Sequence, residues 1–395
     1  MPIFQPELET MPRPELERLQ RERLRERFGV ELEALPDQPF RVKSDLRDAY
    51  PFGLLRVPLE ECVRIHASSG TRGKATIVAY TRADLEAWAD CCARALAAAG
   101  AGPGTVVHNA YGYGLFTGGL GLHYGAERLG CTVVPASGGN TPRHAQLLDD
   151  LGAEILCCTP SYALAIADHV SEATRLKLRA GLFGAEPWTE GLREAIEGAL
   201  ELIAVDIYGL SEVMGPGVSA ECAEARDGAH VNEDHFLVEV VDPKSGVPLP
   251  DGTVGELVFS TLTKEALPLL RYRTGDLASL TREPCVCGRT FARMSRILGR
   301  TDDMLIIRGV NVFPSEIERV LLAIPELAPH YQLVVERPGH LDELAVQVEG
   351  AVDSAPVRRK LESALGLTAH VEIVPPGTIP RSEGKALRVI DRRTA

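Results

Sequence analysis

Two hydrophobic periods alternate along the middle of this chain. An amphipathic helical pattern begins after Thr81, a favourable N-cap residue, and runs to Ala98, and short apolar runs of strand length follow it. We predict these strands at residues 105–108, 131–135, 154–158, 180–183 and 203–207, with helical segments between them. Strands that alternate with helices predict a doubly wound α/β sheet.

The two ends of the chain follow other patterns. Prolines divide residues 1–60 into short helical and irregular pieces, which we expect to wrap around the core. Beyond residue 236, short apolar runs separated by turn residues predict antiparallel hairpins in a β-rich subdomain. The last segment has the order strand, helix, strand, strand, helix, strand, which predicts a small α+β module. We therefore divide the chain into domains 1–301 and 302–395.

Composition narrows the class of protein. With 395 residues, 45% of them hydrophobic, the chain can bury a large core, and its net charge of −13 disfavours a general nucleic-acid or anionic-membrane surface. The first thirty residues lack the apolar segment of a secretory signal. Polar residues and glycines interrupt the apolar stretch 105–125, which therefore predicts buried strands and a ligand-facing loop rather than a membrane span. Cysteine pairs such as Cys91-Cys92 lie in apolar segments, so we expect core thiols rather than disulfides, and a cytoplasmic protein.

A loop rich in glycine and hydroxyl residues is the most informative motif, Ser68-Ser69-Gly70-Thr71-Arg72-Gly73-Lys74. Its glycines let backbone N–H groups approach phosphate oxygens, its hydroxyls add donors, and Lys74 adds a positive charge. The spacing is not that of P-loop NTPases, because two residues separate the glycines and Ala75 follows the lysine. We predict a nucleotide-phosphate site of another class; the alternative is a solvated turn between two strands.

Other polar motifs follow predicted strands. Tyr208-Gly209-Leu210-Ser211-Glu212 lies at a strand's carboxyl end, where doubly wound sheets bind ligands, and Glu212 is a candidate magnesium ligand. Asp276 follows Gly275 on a predicted turn and is placed to accept two ribose hydroxyls. The alternatives are a helix-start Ser/Glu pair and an ordinary surface turn.

Two polar stretches flank or lie within the last module. Residues 299–303 coincide with the predicted domain boundary, so they are candidates for both a linker and a site. Lys385 follows Gly384 in a polar loop ten residues from the end of the chain. A lysine in such a place is ordinarily a solvated surface residue.

Four soft or borderline metal ligands form a separate set, Cys222, His230, Cys285 and Cys287. Four such ligands suit tetrahedral zinc, and a site with no open position is structural. The alternative is a group of free thiols on hairpin turns.

The motifs together resemble those of the AMP-forming acyl and aryl ligases. Residues 68–74, 208–212, 271–276, 299–303 and 384–385 occur in the order of that superfamily and span nearly the whole chain. Within it the chain is similar to the phenylacetate-coenzyme A ligases, through residues 64–74, 108–121, 183–188, 206–212 and 308–314. Some of these ligases also resemble the chain in the Cys, His and Cys-x-Cys set.

The resemblance implies a large adenylation domain, a small mobile C-terminal domain and a two-step reaction. A carboxylate attacks the α-phosphate of ATP to give an acyl-adenylate and pyrophosphate, and the thiol of coenzyme A then displaces AMP. The resemblance implies that residues 68–74 contact the phosphates, that Glu212 binds magnesium, and that Asp276 and Arg300 bind the ribose. It implies a hinge at Asp302, and it implies that Lys385 bridges the carboxylate and the α-phosphate. The other implied nucleotide-binding residues are Ala185, Glu186, Pro187, Asp206, Ile207, Tyr208, Gly209 and Ser211.

The acid itself is expected to bind at residues 111–116. Aromatic rings and side-chain-free glycines predict a slot for a flat, apolar acid, with Tyr111 and Phe116 as its walls; ordinary core aromatics are the alternative. The chain departs from the family at Arg72, where threonine is usual, and at Ala75, where proline is usual.

Three other functions compete with a coenzyme A ligase. The first is an adenylating enzyme that passes its acyl group to a carrier-protein thiol or an amine, and the second is a catalytically silent relative that binds nucleotide. The third, a zinc hydrolase, is disfavoured because four protein ligands leave no position for water. Family likeness also implies a homodimer.

Overall fold

The computed structural model describes residues 2–68, 75–171, 175–301, 303–308, 310–338, 341–382 and 386–393. As predicted, the N-terminal segment consists of helical and irregular pieces: α1 (Pro6–Glu9), α2 (Arg13–Phe28) and α3 (Lys43–Asp48), with 3-10 turns at Leu32–Asp37 and Leu59–Glu61. The piece α2 is longer than expected, with 16 residues, because Pro14 lies in its first turn, where proline is tolerated. Two ion pairs fasten this segment to the body of the protein, Arg289 to Glu9 at 2.7 Å and Arg13 to Glu233 at 2.8 Å. The N-terminal segment therefore wraps around the core.

A hairpin and a long helix follow: β1 (Arg64–Ser68), β2 (Thr76–Tyr80) and α4 (Arg82–Ala98). The predicted N-cap of α4 is confirmed. The Thr81 hydroxyl accepts the N–H of Asp84 at 3.1 Å, and the Asp84 carboxylate accepts the N–H of Thr81 at 3.0 Å. This reciprocal pair is a capping box, which satisfies two donors at the start of the helix.

The five strands predicted in the middle of the chain form the parallel part of a nine-stranded sheet, in the order β4-β3-β5-β6-β7. Helices connect them, so the α/β prediction is confirmed. The elements are β3 (Val106–Asn109), α5 (Gly118–Leu129), β4 (Thr132–Val134), α6 (Thr141–Asp150), β5 (Ile155–Cys158), α7 (Pro160–Ala167), β6 (Ala180–Gly184), α8 (Glu190–Leu200) and β7 (Ile203–Leu210).

Helix α5 differs from the sequence expectation, which placed buried strands and a loop in residues 105–125. Its glycines allow close contact with α4: a Cβ on Gly121 would lie 2.5 Å from the Trp88 ring, and a Cβ on Gly125 would lie 2.3 Å from that of Cys92. Glycine disfavours isolated helices, but tertiary packing of the two helix backbones outweighs that preference here.

Beyond β7 the chain is largely antiparallel. Strands β8, β9, β14 and β13 extend the central sheet, while β10-β11-β12-β15 form a second sheet that confirms the predicted hairpins. The elements are β8 (Gly215–Ala220), β9 (Ala229–Val231), β10 (Phe236–Val241), β11 (Gly255–Thr261), β12 (Tyr272–Ala278), β13 (Leu280–Thr281), β14 (Arg293–Met294) and β15 (Gly299–Arg300).

The C-terminal part is a small α+β module with its own apolar core, as predicted. Its sheet has the order β20-β19-β18-β21, and the short final strand, which the sequence pattern did not reveal, pairs parallel to β18. The elements are β16 (Leu305–Ile307), β17 (Val310–Val312), α9 (Pro314–Leu322), β18 (Leu327–Glu336), β19 (Glu343–Gly350), α10 (Ser354–Leu365), β20 (His370–Val374) and β21 (Val389–Asp391). Among the described residues, no helix combines the length and the apolar character needed to cross a membrane.

Candidate active site

Three residues predicted to bind nucleotide come together from distant parts of the chain. The Tyr208 hydroxyl at the end of β7 donates to Oδ2 of Asp276 at 2.7 Å, and the Arg300 guanidinium pairs with the other carboxylate oxygen. Antiparallel pairing of β12 with β15 sets Asp276 directly opposite Arg300. An aromatic ring, a carboxylate and a guanidinium group therefore meet at the carboxyl end of the parallel sheet, where such sheets bind ligands.

The ends of β6 and β7 approach each other closely beside this group. A Cβ on Gly184 would lie 2.0 Å from the carbonyl oxygen of Ile207, so only glycine fits there. The next residue, Ala185, has a positive φ of 72°, which turns the chain away from the strand. Burial and the neighbouring Glu221 charge raise the pKa of Asp206. The residues predicted to line the nucleotide slot thus lie at the ends of two adjacent strands.

Glu212 follows β7 and lies in a buried, charged setting. Its carboxylate is 3.0 Å from Nζ of Lys43, a residue of α3. Burial alone would raise the pKa of Glu212, but the charge of Lys43 and nearby hydrogen-bonding groups lower it below its ordinary value. Glu212 is therefore held in the ionised form, which is the form that binds a cation.

Two lysines near Glu212 carry no sequence signal. Lys43 stands in the N-terminal segment, far from any motif, and only the tertiary fold brings it to Glu212. Lys264 is fully buried and donates to the carbonyl oxygen of Val213 at 3.1 Å, next to the Tyr80 ring at 4.6 Å. Burial lowers the pKa of Lys264 to about 8. Lys264 therefore fixes the backbone turn that carries Glu212.

The predicted acyl loop lies against the same turn. Tyr111 is buried, Phe116 is half-buried, and both rings surround Gly118, where a Cβ would lie 3.2 Å from Tyr111 and 2.5 Å from Phe116. The hydroxyls of Thr117 and Ser211 are 3.0 Å apart. The structure thus joins the two aromatic candidates to the Tyr-Gly-x-Ser-Glu motif.

The contacts described above do not include several of the predicted site residues. Ser68 is buried at the end of β1, Glu186 is half-buried and Pro187 is exposed. The following lie outside the described residues: Ser69, Gly70, Thr71, Arg72, Gly73, Lys74, Asp302 and Lys385. Their roles remain predictions.

The four predicted metal ligands form one cluster. Their ligand atoms all lie within 4.8 Å of one another, with Cys222 Sγ 3.7 Å from Cys285 Sγ and Cys287 Sγ 3.4 Å from Nε2 of His230. A zinc tetrahedron with metal–sulfur bonds of ~2.3 Å has sulfur–sulfur edges of about 3.8 Å. The spacing of the thiols therefore fits zinc.

Hydrogen bonds within the cluster favour the thiolate form of two of its cysteines. A hydrogen bond from Cys222 lowers the pKa of Cys287, and a hydrogen bond from His230 lowers the pKa of Cys285, whereas the donor Cys222 has a raised pKa. Thiolate is the form in which cysteine binds metal. The chemistry of these ligands is consistent with their spacing.

Known protein families and sequences resemble this chain over nearly its full length. The model of the AMP-binding enzyme family matches residues 115–263, and that of the AMP-binding enzyme C-terminal domain matches residues 309–393. The phenylacetate-coenzyme A ligase of Thermus thermophilus is 53% identical over 443 aligned positions, which cover 99% of this chain and 100% of the relative.

The solved structures include two states of one enzyme. The chain superposes on 2-hydroxyisobutyryl-CoA ligase in the postadenylation state with 2-HIB-AMP at a TM-score of 0.88, with 31% identity, covering 98% of this chain and 92% of that one. The same ligase in the thioesterification state with 2-HIB-AMP and CoA gives 0.70, at 31% identity and 100% and 94% coverage. Identity over nearly the full length, together with the assembled site, shows that the chain belongs to the phenylacetate-coenzyme A ligase family of AMP-binding enzymes.

Proposed function

We propose that this protein converts an arylacetic acid, with phenylacetate as the first candidate, to its coenzyme A thioester. Membership of the family makes it an ATP-dependent, AMP-forming acid–CoA ligase. The observation that carries the proposal is the meeting of Tyr208, Asp276 and Arg300 at the end of β7, next to the turn that joins Glu212 to the Tyr111–Phe116 loop. Nucleotide and acid would bind on opposite sides of that turn.

The two steps use one site. In the first, a carboxylate oxygen of the acid attacks the α-phosphorus of ATP, and the bond to pyrophosphate breaks. Lys385 would neutralise charge at the reacting oxygens, and residues 68–74 would bind the leaving phosphates. In the second, the coenzyme A sulfur attacks the acyl carbon and AMP leaves, after the C-terminal module has turned about Asp302.

The acid is proposed from the character of the acyl loop. Tyr111 and Phe116 pack around Gly118, so the aromatic faces and a position without a side chain adjoin one another. Flat rings bind well between aromatic faces, and one methylene more or less in an apolar pocket changes kcat/KM by about 10- to 200-fold. We therefore expect an aryl acid with a short side chain, and the coenzyme A relatives disfavour transfer to a carrier protein.

A panel of acids tests this proposal. Purified protein with ATP, magnesium and coenzyme A is assayed for pyrophosphate release and for thioester by mass spectrometry, with phenylacetate, benzoate, anthranilate, indole-3-acetate and 2-hydroxyisobutyrate. We expect kcat/KM for phenylacetate to exceed that for 2-hydroxyisobutyrate by at least about tenfold. Preference for the aliphatic acid, or an adenylate that coenzyme A does not attack, would refute the proposal.

Magnesium binding by Glu212 is the second part of the proposal. The buried carboxylate is ionised and pairs with Lys43, and a hard cation that bridges phosphate oxygens prefers carboxylate ligands. We expect Glu212→Gln to lower acid-dependent pyrophosphate exchange by about 10- to 100-fold and to raise the half-saturating magnesium concentration. The matched control is Glu194→Gln, an exposed carboxylate on α8. An unchanged magnesium requirement would contradict the assignment.

Three further features complete the proposal. Cys222, His230, Cys285 and Cys287 would hold a structural zinc ion, because a complete set of four protein ligands leaves no position for water. We also propose a homodimer, by family likeness, which light scattering checks. A cytoplasmic location follows from the use of ATP and coenzyme A.

A further inference from the structure

The segment that carries Lys385 is attached on both sides to the large domain. On one side, Nε of Arg381 donates to Oδ2 of Asp168 at 3.2 Å. On the other, the N–H of Ala386, the residue bonded to Lys385, donates to Oε2 of Glu186 at 2.8 Å. Two carboxylates of the large domain thus hold the chain just before and just after the predicted catalytic lysine.

Helix α7 organises both attachments. Ser161 in its first turn donates its N–H to Oε1 of Glu186 at 2.8 Å, which orients that carboxylate. The Ser161 hydroxyl also accepts a hydrogen bond from Nη2 of Arg388 at 3.3 Å. Asp168 is the C-cap of the same helix. One helix therefore presents contacts at its two ends to a single segment of the C-terminal module.

Arg381 is held rigidly within its own module. Its two terminal nitrogens donate to the two oxygens of Glu349 at 2.9 and 3.0 Å, and that glutamate is fully buried. The remaining nitrogen, Nε, reaches across to Asp168 of the large domain. A guanidinium that is already fixed loses little freedom when it forms one more bond, so the contact with Asp168 is well suited to position the module.

The Asp168–Arg381 pair is also easily broken. The Asp168 side chain is 48% exposed and that of Arg381 is 29% exposed, and exposed ion pairs contribute little to overall stability. The neighbouring His330 nitrogen lies 3.9 Å from the same carboxylate. The pair is thus a contact that can favour one orientation of the module without preventing the other.

We propose that Asp168 is a positioning residue for the adenylation step. Through Arg381 it holds the segment that carries Lys385 against the large domain while the acid attacks ATP, and it releases Arg381 when the module turns for thioester formation. This inference rests on the proposed function. The greater similarity of the chain to the postadenylation state than to the thioesterification state of 2-hydroxyisobutyryl-CoA ligase agrees with it.

Separate assays of the two half-reactions test the proposal with Asp168→Lys, which replaces attraction by repulsion. We expect acid-dependent pyrophosphate exchange to fall about five- to tenfold. Thioester formation from preformed acyl-adenylate and coenzyme A, measured in a single turnover, should change by less than about twofold or become faster. Asp168→Glu should restore at least half of the exchange rate.

A control and two outcomes separate positioning from a merely structural effect. Asp149→Lys makes the same charge change at an exposed position on α6, and both rates should stay near those of the unmodified protein. An equal fall of both half-reactions in Asp168→Lys, or no fall in exchange, would overturn the role of Asp168. Failure of the unmodified protein to exchange pyrophosphate with any acid would instead refute the proposed function.

Discussion

Replacing Lys385 with alanine should reduce acid-dependent pyrophosphate exchange by at least about 100-fold while leaving ATP binding largely intact. Negative charge develops on the oxygens around the α-phosphate as the carboxylate attacks, and a single well-placed donor commonly supplies an effect of this size. Loss that appears in the rate and not in binding is the signature of an interaction made in the transition state. Isotope exchange and calorimetric ATP titration measure the two quantities.

The control for Lys385→Ala is Lys360→Ala, an exposed lysine on α10 of the same module. It removes the same charge from the same part of the chain and should leave exchange unchanged. Thioester formation from preformed acyl-adenylate should survive in both variants. Normal exchange in Lys385→Ala would contradict the role given to this lysine.

Replacing Cys287 with serine should remove about one zinc ion per chain and lower the thermal midpoint by about 5–10 °C. A structural zinc ion adds several kilocalories per mole to folding, and in a chain of 395 residues each kilocalorie per mole corresponds to about one degree. Loss of the ion should also loosen the N-terminal segment, because Arg289, which pairs with Glu9, lies two residues beyond Cys287. Elemental analysis and thermal melting provide the measurements.

Cys62→Ser is the control, because Cys62 is a half-buried cysteine outside the four-ligand cluster. Its metal content and thermal midpoint should match those of the unmodified protein. Unmodified protein that carries no zinc and melts at the same temperature as Cys287→Ser would show that the four residues are free thiols.

The strands and helices could be predicted from the sequence where residue type and hydrophobic period point to the same element. Apolar runs bounded by turn residues predicted all five parallel strands, and the N-cap residue Thr81 predicted the start of α4. Helix α5 was missed because Gly121 and Gly125 are poor helix formers whose value lies in contact with α4. The short β21 was missed because three residues carry no measurable period.

The residues of the candidate site could be predicted from the sequence where their chemistry depends on residue type. Cysteine and histidine point to a metal by type alone, and the predicted four ligands lie together. Likewise Tyr208, Asp276 and Arg300 meet as the motifs imply. The contacts of Lys43 and Asp168 were not predictable, because their partners Glu212 and Arg381 lie far away in the chain.

The pairing of Lys43 with Glu212 has a consequence for how the protein matures. The proposed chemistry draws on Lys43, ahead of the large sheet in the chain, and on the loop around Lys385, behind it. During synthesis the proposed catalytic centre therefore stays incomplete until the loop around Lys385 has left the ribosome. We therefore expect nascent or clipped chains to leave cellular ATP untouched.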